Sequence, residues 1–131
     1  MCIRDRGRII NIGGLAARSG GAISGMRNLA LSHFTKTLSN ELGPFGITVN
    51  IVHPGVTRTE RTAPLNEKQA AENNLTVDEI EKKSAANLDI RRIVESDEIA
   101  HLTTFLASPK AAAITGESIA AGGGAGAAVF Q

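Results

Sequence analysis

"LSNELGPFGITVNIVHPGVTRT", residues 38–59, carries a helix end, a break, a strand and a turn in one uninterrupted run. Gly43-Pro44 stops the segment before it, glycine supplying a left-handed cap and proline being unable to continue a helix. "ITVNIVHPG" (47–55) is a short apolar run rich in β-branched residues and closed by Pro54-Gly55, the pattern of a strand buried on both faces of a parallel sheet. Working backwards, "SGMRNLALSHFTKTLSNEL" (24–42) spaces Leu31, Phe34, Leu38 and Leu42 three and four apart, which predicts a helix with that stripe on its buried face. "GRIINIG" (7–13) reads as a second buried strand. Working forwards, a polar stretch from Glu60 to about Arg92 contains one helix start, the capping-box spacing of Thr76 and Glu79. Ser96 is the expected cap of "DEIAHLTTFLAS" (97–108), striped by Ile99, Leu102 and Leu106, and "ESIAAGGG" (117–124) ends the series as a third strand. Strand, helix, strand, helices, strand is the βαβ pattern. It predicts parallel strands at 7–13, 47–55 and 118–121 with helix 24–42 crossing between the first two. No repeat or linker divides the chain, which reads as one domain with the look of half a domain.

Composition narrows the classes of function. With 131 residues, 42% hydrophobic and 21% charged, the chain has the makeup of a folded soluble domain. A net charge of +1, no basic block and no Tyr or Trp give no surface for stacking on nucleic acid, so no nucleic-acid partner is expected. The single cysteine, Cys2, forms no internal disulfide, which fits a cytoplasmic location. No apolar run is long enough to span a membrane, so no membrane partner is expected either.

Three of these stretches together, "GRIINIGG", "LSNELGPFGITVNIVHPGVTRT" and "DEIAHLTTFLASPKAAAITGESIAAGGG", resemble in order and spacing the C-terminal half of the short-chain dehydrogenases/reductases. The resemblance covers about residues 7 to 131. It implies an α/β fold, the C-terminal half of a Rossmann-type doubly wound parallel sheet, in an NAD(P)-dependent oxidoreductase acting on a small carbonyl or alcohol substrate. It also implies NAD or NADP as cofactor and a homo-oligomer for the full-length parent. The family's first strand and its phosphate-cradling glycine turn have no counterpart here. "MCIRDR" (1–6) does not resemble the family's approach to this strand and is expected to be a leader of foreign origin, with the rest of the chain truncated. Gly122, Gly124 and Ala127 satisfy G-x-G-x-x-A, but only Val129, Phe130 and Gln131 lie beyond the following residue, too few for the helix and acid that motif requires. The expected reading is a glycine-rich exit from the last strand.

The family's chemistry needs a tyrosine as acid/base, a lysine four residues later that holds the nicotinamide ribose and lowers the tyrosine's pKa, and a serine that hydrogen-bonds the substrate. Registered through "ALSHFTKTLSNEL", the tyrosine position holds Ser24 and the lysine position Asn28, while the serine position after the first strand holds Gly14. All three catalytic positions are replaced. An unperturbed tyrosine titrates near 10, within reach of a lysine's field, whereas a serine hydroxyl lies far above such tuning. The chain contains no tyrosine at all, so no shift of register restores the acid.

Substitutes are few. His33, His53 and His101 titrate in the useful range but read as core or interface residues, and none has the short helical spacing of a metal motif, so no metal site is expected. Arg18 and Arg27 flank the loop before the helix, as steering charges for an anionic substrate or as solvated surface. Asn11 and Asn50 are expected to satisfy backbone groups. Ser24 does not fit a hydrolase nucleophile, since "GAISG" lacks the G-x-S-x-G spacing. What persists is the cofactor side of the second strand. Pro54, Gly55, Val56, Thr57 and Thr59 match the stretch that in the family receives the nicotinamide carboxamide, and Gly55 permits close backbone approach at the carboxyl end of a parallel strand. Two functions remain open. One is a portion of an oxidoreductase whose isolated chain is inactive. The other is a non-catalytic relative that binds cofactor or serves as a scaffold.

Overall fold

A computed structural model gives the structure of residues 7–126; the expected leader (1–6) and the end of the tail, Ala127 included, lie outside the described residues. The chain divides into two compact units, the first of residues up to 54 with 99–121, the second of 55–98 with the residues after 121.

In the first unit, β1 (Arg8–Ile12), β2 (Thr48–Pro54) and β5 (Ser118–Ala121) form a sheet in the order β1-β2-β5. Both pairings are parallel, with Arg8 opposite Thr48 at one end of the first and Ile51 opposite Ser118 in the second. This is the expected strand set and order. β2 is central, and its Val49, Ile51 and Val52 are wholly buried, as an apolar β-branched run between two neighbours should be. β1 departs from the expectation of burial on both faces: it is only half-buried and Ile12 is 52% exposed. It has a strand partner on one side among the described residues, so its side chains lack the cover that β2 receives.

The helix α1 spans Ile23–Leu42. Its buried positions are Gly25, Asn28, Thr35 and Ser39, whereas Leu31, Leu38 and Leu42 are half-buried and Phe34 is 52% exposed. The leucine-phenylalanine stripe is therefore not the innermost face. Small residues are innermost because they let the helix backbone come close to its neighbours. A Cβ on Gly25 would stand 2.6 Å from the carbonyl oxygen of Ala16. Thr35 donates its hydroxyl to Leu31 O and accepts from Asn11 Nδ2 at 2.9 Å, so the polar face is satisfied where it is buried.

The helix end also differs from the sequence reading. Gly43 is right-handed (φ −54°, ψ −42°), and the chain continues through a 3-10 turn, Gly43–Phe45, before Gly46 adopts the left-handed conformation at φ 71°. Proline's fixed φ suits the start of that turn, so reversal comes three residues later than the glycine-proline pair suggests.

The core of this unit gathers Val52, Leu106 and Ala111, with Ile99 and Leu102 packed against them. The apolar stripe of α4 (Ser96–Ala107) thus faces inward as expected. Asn50 joins the strands to the segment before β5, donating to Ile114 O at 2.8 Å and accepting from Glu117 N at 3.1 Å. That is the backbone-satisfying role expected of it.

The second unit contains β3 (Thr57–Arg58) and β4 (Val94–Glu95), a short parallel pair, and the helices α2 (Thr62–Asn73) and α3 (Val77–Ala86). The polar stretch therefore holds two helices where its capping box signals one. That box is formed as read: Glu79 N–H donates to Thr76 Oγ1 and Thr76 N–H to Glu79 Oε2. Ser96 is not a cap but the first residue of α4; the Glu98 carboxylate instead accepts the N–H of Glu95 at 2.9 Å. A small core of Ala85, Leu88 and Ile93 lies beneath.

Candidate functional site

The three expected catalytic positions fall in the first unit. Gly14 follows β1, and Ser24 and Asn28 lie on the first turns of α1. Ser24 is half-buried, while Asn28 is 8% exposed. The structure brings Gly14 and Asn28 together: a Cβ on residue 14 would stand 2.9 Å from Asn28 Nδ2. The carboxamide of Asn28 therefore fills the space into which a serine at 14 would project. The replacements at these two positions are sterically linked.

The residue that organises the site is one the sequence offered only as a core or interface histidine. His53 on β2 is 1% exposed. Its Nδ1 lies 3.0 Å from both the nitrogen and the carbonyl oxygen of Gly14, and its Nε2 lies 3.0 Å from Ser32 Oγ and 3.3 Å from Ser118 Oγ. Ser32 Oγ donates in turn to Asn28 O at 3.0 Å. With the imidazole neutral and its proton on Nε2, every donor finds an acceptor: Gly14 N–H to Nδ1, Nε2–H to Ser32, the Ser32 hydroxyl to Asn28 O. One buried ring thus links Gly14 and Asn28, two of the positions expected from the resemblance to be catalytic. Burial holds this imidazole below its ordinary 6.5, opposed by the Gly14 carbonyl, which accepts from a protonated Nδ1, and assisted by the charge of Arg18. Gly13 makes room for it, since a Cβ there would lie 2.7 Å from Nδ1. The glycine pair 13–14 was the available signal, a backbone with no side chains opposite a histidine too bulky to share the space.

The remaining candidates separate. His33 and His101 are exposed rather than core residues. Arg18 does not extend freely into solvent: it donates to Ser118 O at 3.2 Å. Arg27 is exposed. Among the described residues no group of His, Cys, Asp and Glu has a metal-holding arrangement.

Pro54 closes β2, pairing with Ala121, whereas Gly55, Val56, Thr57 and Thr59 belong to the second unit. There Thr57 Oγ1 donates to Gly55 O at 3.1 Å, and Val94 N–H donates to Val56 O. Thr59 N–H donates to Thr62 Oγ1 at 2.8 Å, which ties its backbone to the start of α2. Beside this turn Arg58 is clamped by two carboxylates, Glu95 at 3.0 Å from Nε and Glu81 on the other nitrogens. The hydrogen bond from Arg58 holds the Glu81 carboxyl below its usual range. A shallow cleft of about 250 Å³ is lined by Glu81, Arg91 and Arg92 among others. Two of its charges are paired, Arg92 with Glu98 at 2.7 Å and Glu81 with Arg58.

A parallel β-α-β arrangement, with α1 crossing between β1 and the central β2, defines an α/β fold of the Rossmann class. The chain belongs to the short-chain dehydrogenase/reductase family: residues 1–126 match the family model described as enoyl-(acyl carrier protein) reductase. The chain is 37% identical over 121 residues to the NADPH-dependent reductase BacG of Bacillus subtilis, covering 90% of this chain and 47% of that protein. To the 3-oxoacyl-[acyl-carrier-protein] reductase FabG of Vibrio harveyi it is 37% identical over 129 residues, covering 95% and 48%. Among solved structures, a short-chain dehydrogenase family protein from Francisella tularensis superposes with a TM-score of 0.84 at 28% identity, over 92% of this chain and 51% of that one. YwfH, an NADPH-dependent reductase involved in bacilysin biosynthesis, superposes with a TM-score of 0.82 at 36% identity, over 94% and 48%. The chain spans about half the length of the curated relatives it matches. No helix among the described residues is long and apolar enough to cross a membrane.

The family's cofactor fits these residues unevenly. The turn from Pro54 to Thr59 has the glycine and the threonine hydroxyls that suit a carboxamide. Asn28, expected from the resemblance at the ribose-holding position, does not fit that role, because it is short, uncharged and turned against Gly14.

Proposed function

We propose that this chain is part of an NAD(P)-dependent oxidoreductase of carbonyl or alcohol substrates, and that by itself it neither binds the dinucleotide usefully nor turns over substrate. The observation that carries the first half is the persistence of Pro54, Gly55, Val56, Thr57 and Thr59 where the family receives the nicotinamide. The second half rests on Gly14, Ser24 and Asn28: no side chain among them has a pKa that a neighbour could bring near neutrality. No proton-transfer step is assigned to these residues. The relatives named as 3-oxoacyl and ketoacyl reductases make a ketone the first substrate to try. A cytoplasmic setting and a homo-oligomeric parent complete the reading. Ile23, Met26 and Leu29, all well exposed along α1, supply apolar surface for the oligomer.

The same replacements favour a second reading, a non-catalytic relative that keeps the fold as a cofactor-binding or scaffold protein. The experiment joins this chain to whatever coding sequence lies upstream of it. Nicotinamide absorbance is then followed with a panel of ketones and alcohols. Turnover supports the oxidoreductase; cofactor binding without turnover supports the second reading.

A further inference from the structure

We propose that His53 is the positioning residue of this site, a proton-operated gate that holds the Gly14 N–H while neutral and releases it when protonated. The inference goes beyond the functional reading and rests on it in one respect, that residue 14 stands at the position of the family's serine.

The geometry is specific. His53 Nδ1 is equidistant, at 3.0 Å, from the donor and the acceptor of the same residue. A bare Nδ1 accepts only from Gly14 N–H; a protonated Nδ1 donates only to Gly14 O. Protonation therefore exchanges one partner for the other without moving the ring. The N–H given up in the exchange still faces the buried ring, so what protonation changes is the hydrogen bond that holds the Gly14 backbone to β2. Nε2 keeps its proton in both states and keeps Ser32, so the link to Asn28 O is undisturbed.

The surroundings set the direction. The loop contributes Gly13 and Gly14, α1 contributes Ser32 and β5 contributes Ser118, none of them charged. Arg18, on the 3-10 turn after the loop, is the charge that reaches the ring, and like burial it opposes protonation. The gate is accordingly closed at neutral pH and opens on the acid side of the imidazole's ordinary 6.5.

The test is NMR on the full 131-residue chain from about pH 8 to about pH 4, the range that spans imidazole titration. Ring ¹⁵N shifts identify the protonated nitrogen of His53, and solvent exchange is followed at the Gly14 amide. At neutral pH the proton resides on Nε2. As Nδ1 titrates, Gly14 exchange, corrected for its intrinsic pH dependence, accelerates on the order of tenfold, the scale of one lost hydrogen bond. His53→Asn retains an acceptor for Gly14 N–H at every pH and abolishes the acceleration. Gly14 protection unchanged through the His53 titration overturns the proposal, as does equal acceleration in H53N or an Nδ1 proton at neutral pH. None of these readouts involves turnover, so failure of the gate is distinguishable from failure of the oxidoreductase reading.

Discussion

The two units of this chain hold themselves together by different means. The first buries polar side chains and pairs them within the unit: Thr35, Asn50 and His53 are each 1% exposed and hydrogen-bonded. The second has a core of three small or medium residues and relies on ion pairs at its surface, Arg58 with Glu81 and Glu95 and Arg92 with Glu98. A buried network fixes geometry because each member is costly to leave unpaired. An exposed ion pair is screened by water and salt and fixes little. The difference places the precise part of the site, from Gly14 through His53 to Asn28, in the unit built to hold it.

The contrast should be largest at Leu106, which is wholly buried in the first unit's core. Leu106→Ala is expected to cost about 2–5 kcal/mol in chemical denaturation, from lost burial and the cavity left behind. If it costs no more than Ile80→Ala in the second unit, the distinction between the units is wrong. Asn50→Ala comes next, at about 1–3 kcal/mol, because it strands the carbonyl of Ile114 and the N–H of Glu117. In the second unit Thr76→Ala is expected to cost about 1 kcal/mol, the worth of an N-cap, seen as fraying of α3. The smallest effect is at Arg58→Ala, whose guanidinium is 39% exposed: little change in stability, and less still at high salt.

Acid separates the units in another way. The folded-state pKa of His53 is lowered, so its neutral form contributes stability that is fully present above the unfolded value of 6.5. That contribution is lost as pH falls below 6.5 toward the folded value, where the buried ring also takes up a proton. Thermal melts from neutral to mildly acid pH should show the loss in the wild type and not in His53→Asn.

Much of this was legible in the sequence because strands and caps are local. The β-branched run of β2, the Thr76-Glu79 box and the Ile99-Leu102-Leu106 stripe each declare themselves within a few residues. The inner face of α1 was misread because periodicity counts apolar residues, and what decided the face was smallness: Gly25, Thr35 and Ser39 admit a close backbone, and larger side chains were left outward. The two-residue strands β3 and β4 are too short to carry a pattern. The expected site positions Gly14, Ser24 and Asn28 followed from the family resemblance, but the link through His53 joins residues 14, 28, 32 and 53, which only the fold assembles.

The proposed reading is that these residues keep the nicotinamide-contact stretch Pro54 to Thr59 but carry no proton-transfer group at Gly14, Ser24 or Asn28. Isothermal titration of the chain with NADH and NADPH tests it most directly, accompanied by nicotinamide absorbance over a ketone and alcohol panel. The expected result is no binding in the micromolar range with either nucleotide and no change in absorbance beyond that of the buffer. Micromolar affinity, or turnover that disappears in Asn28→Ala, would contradict it.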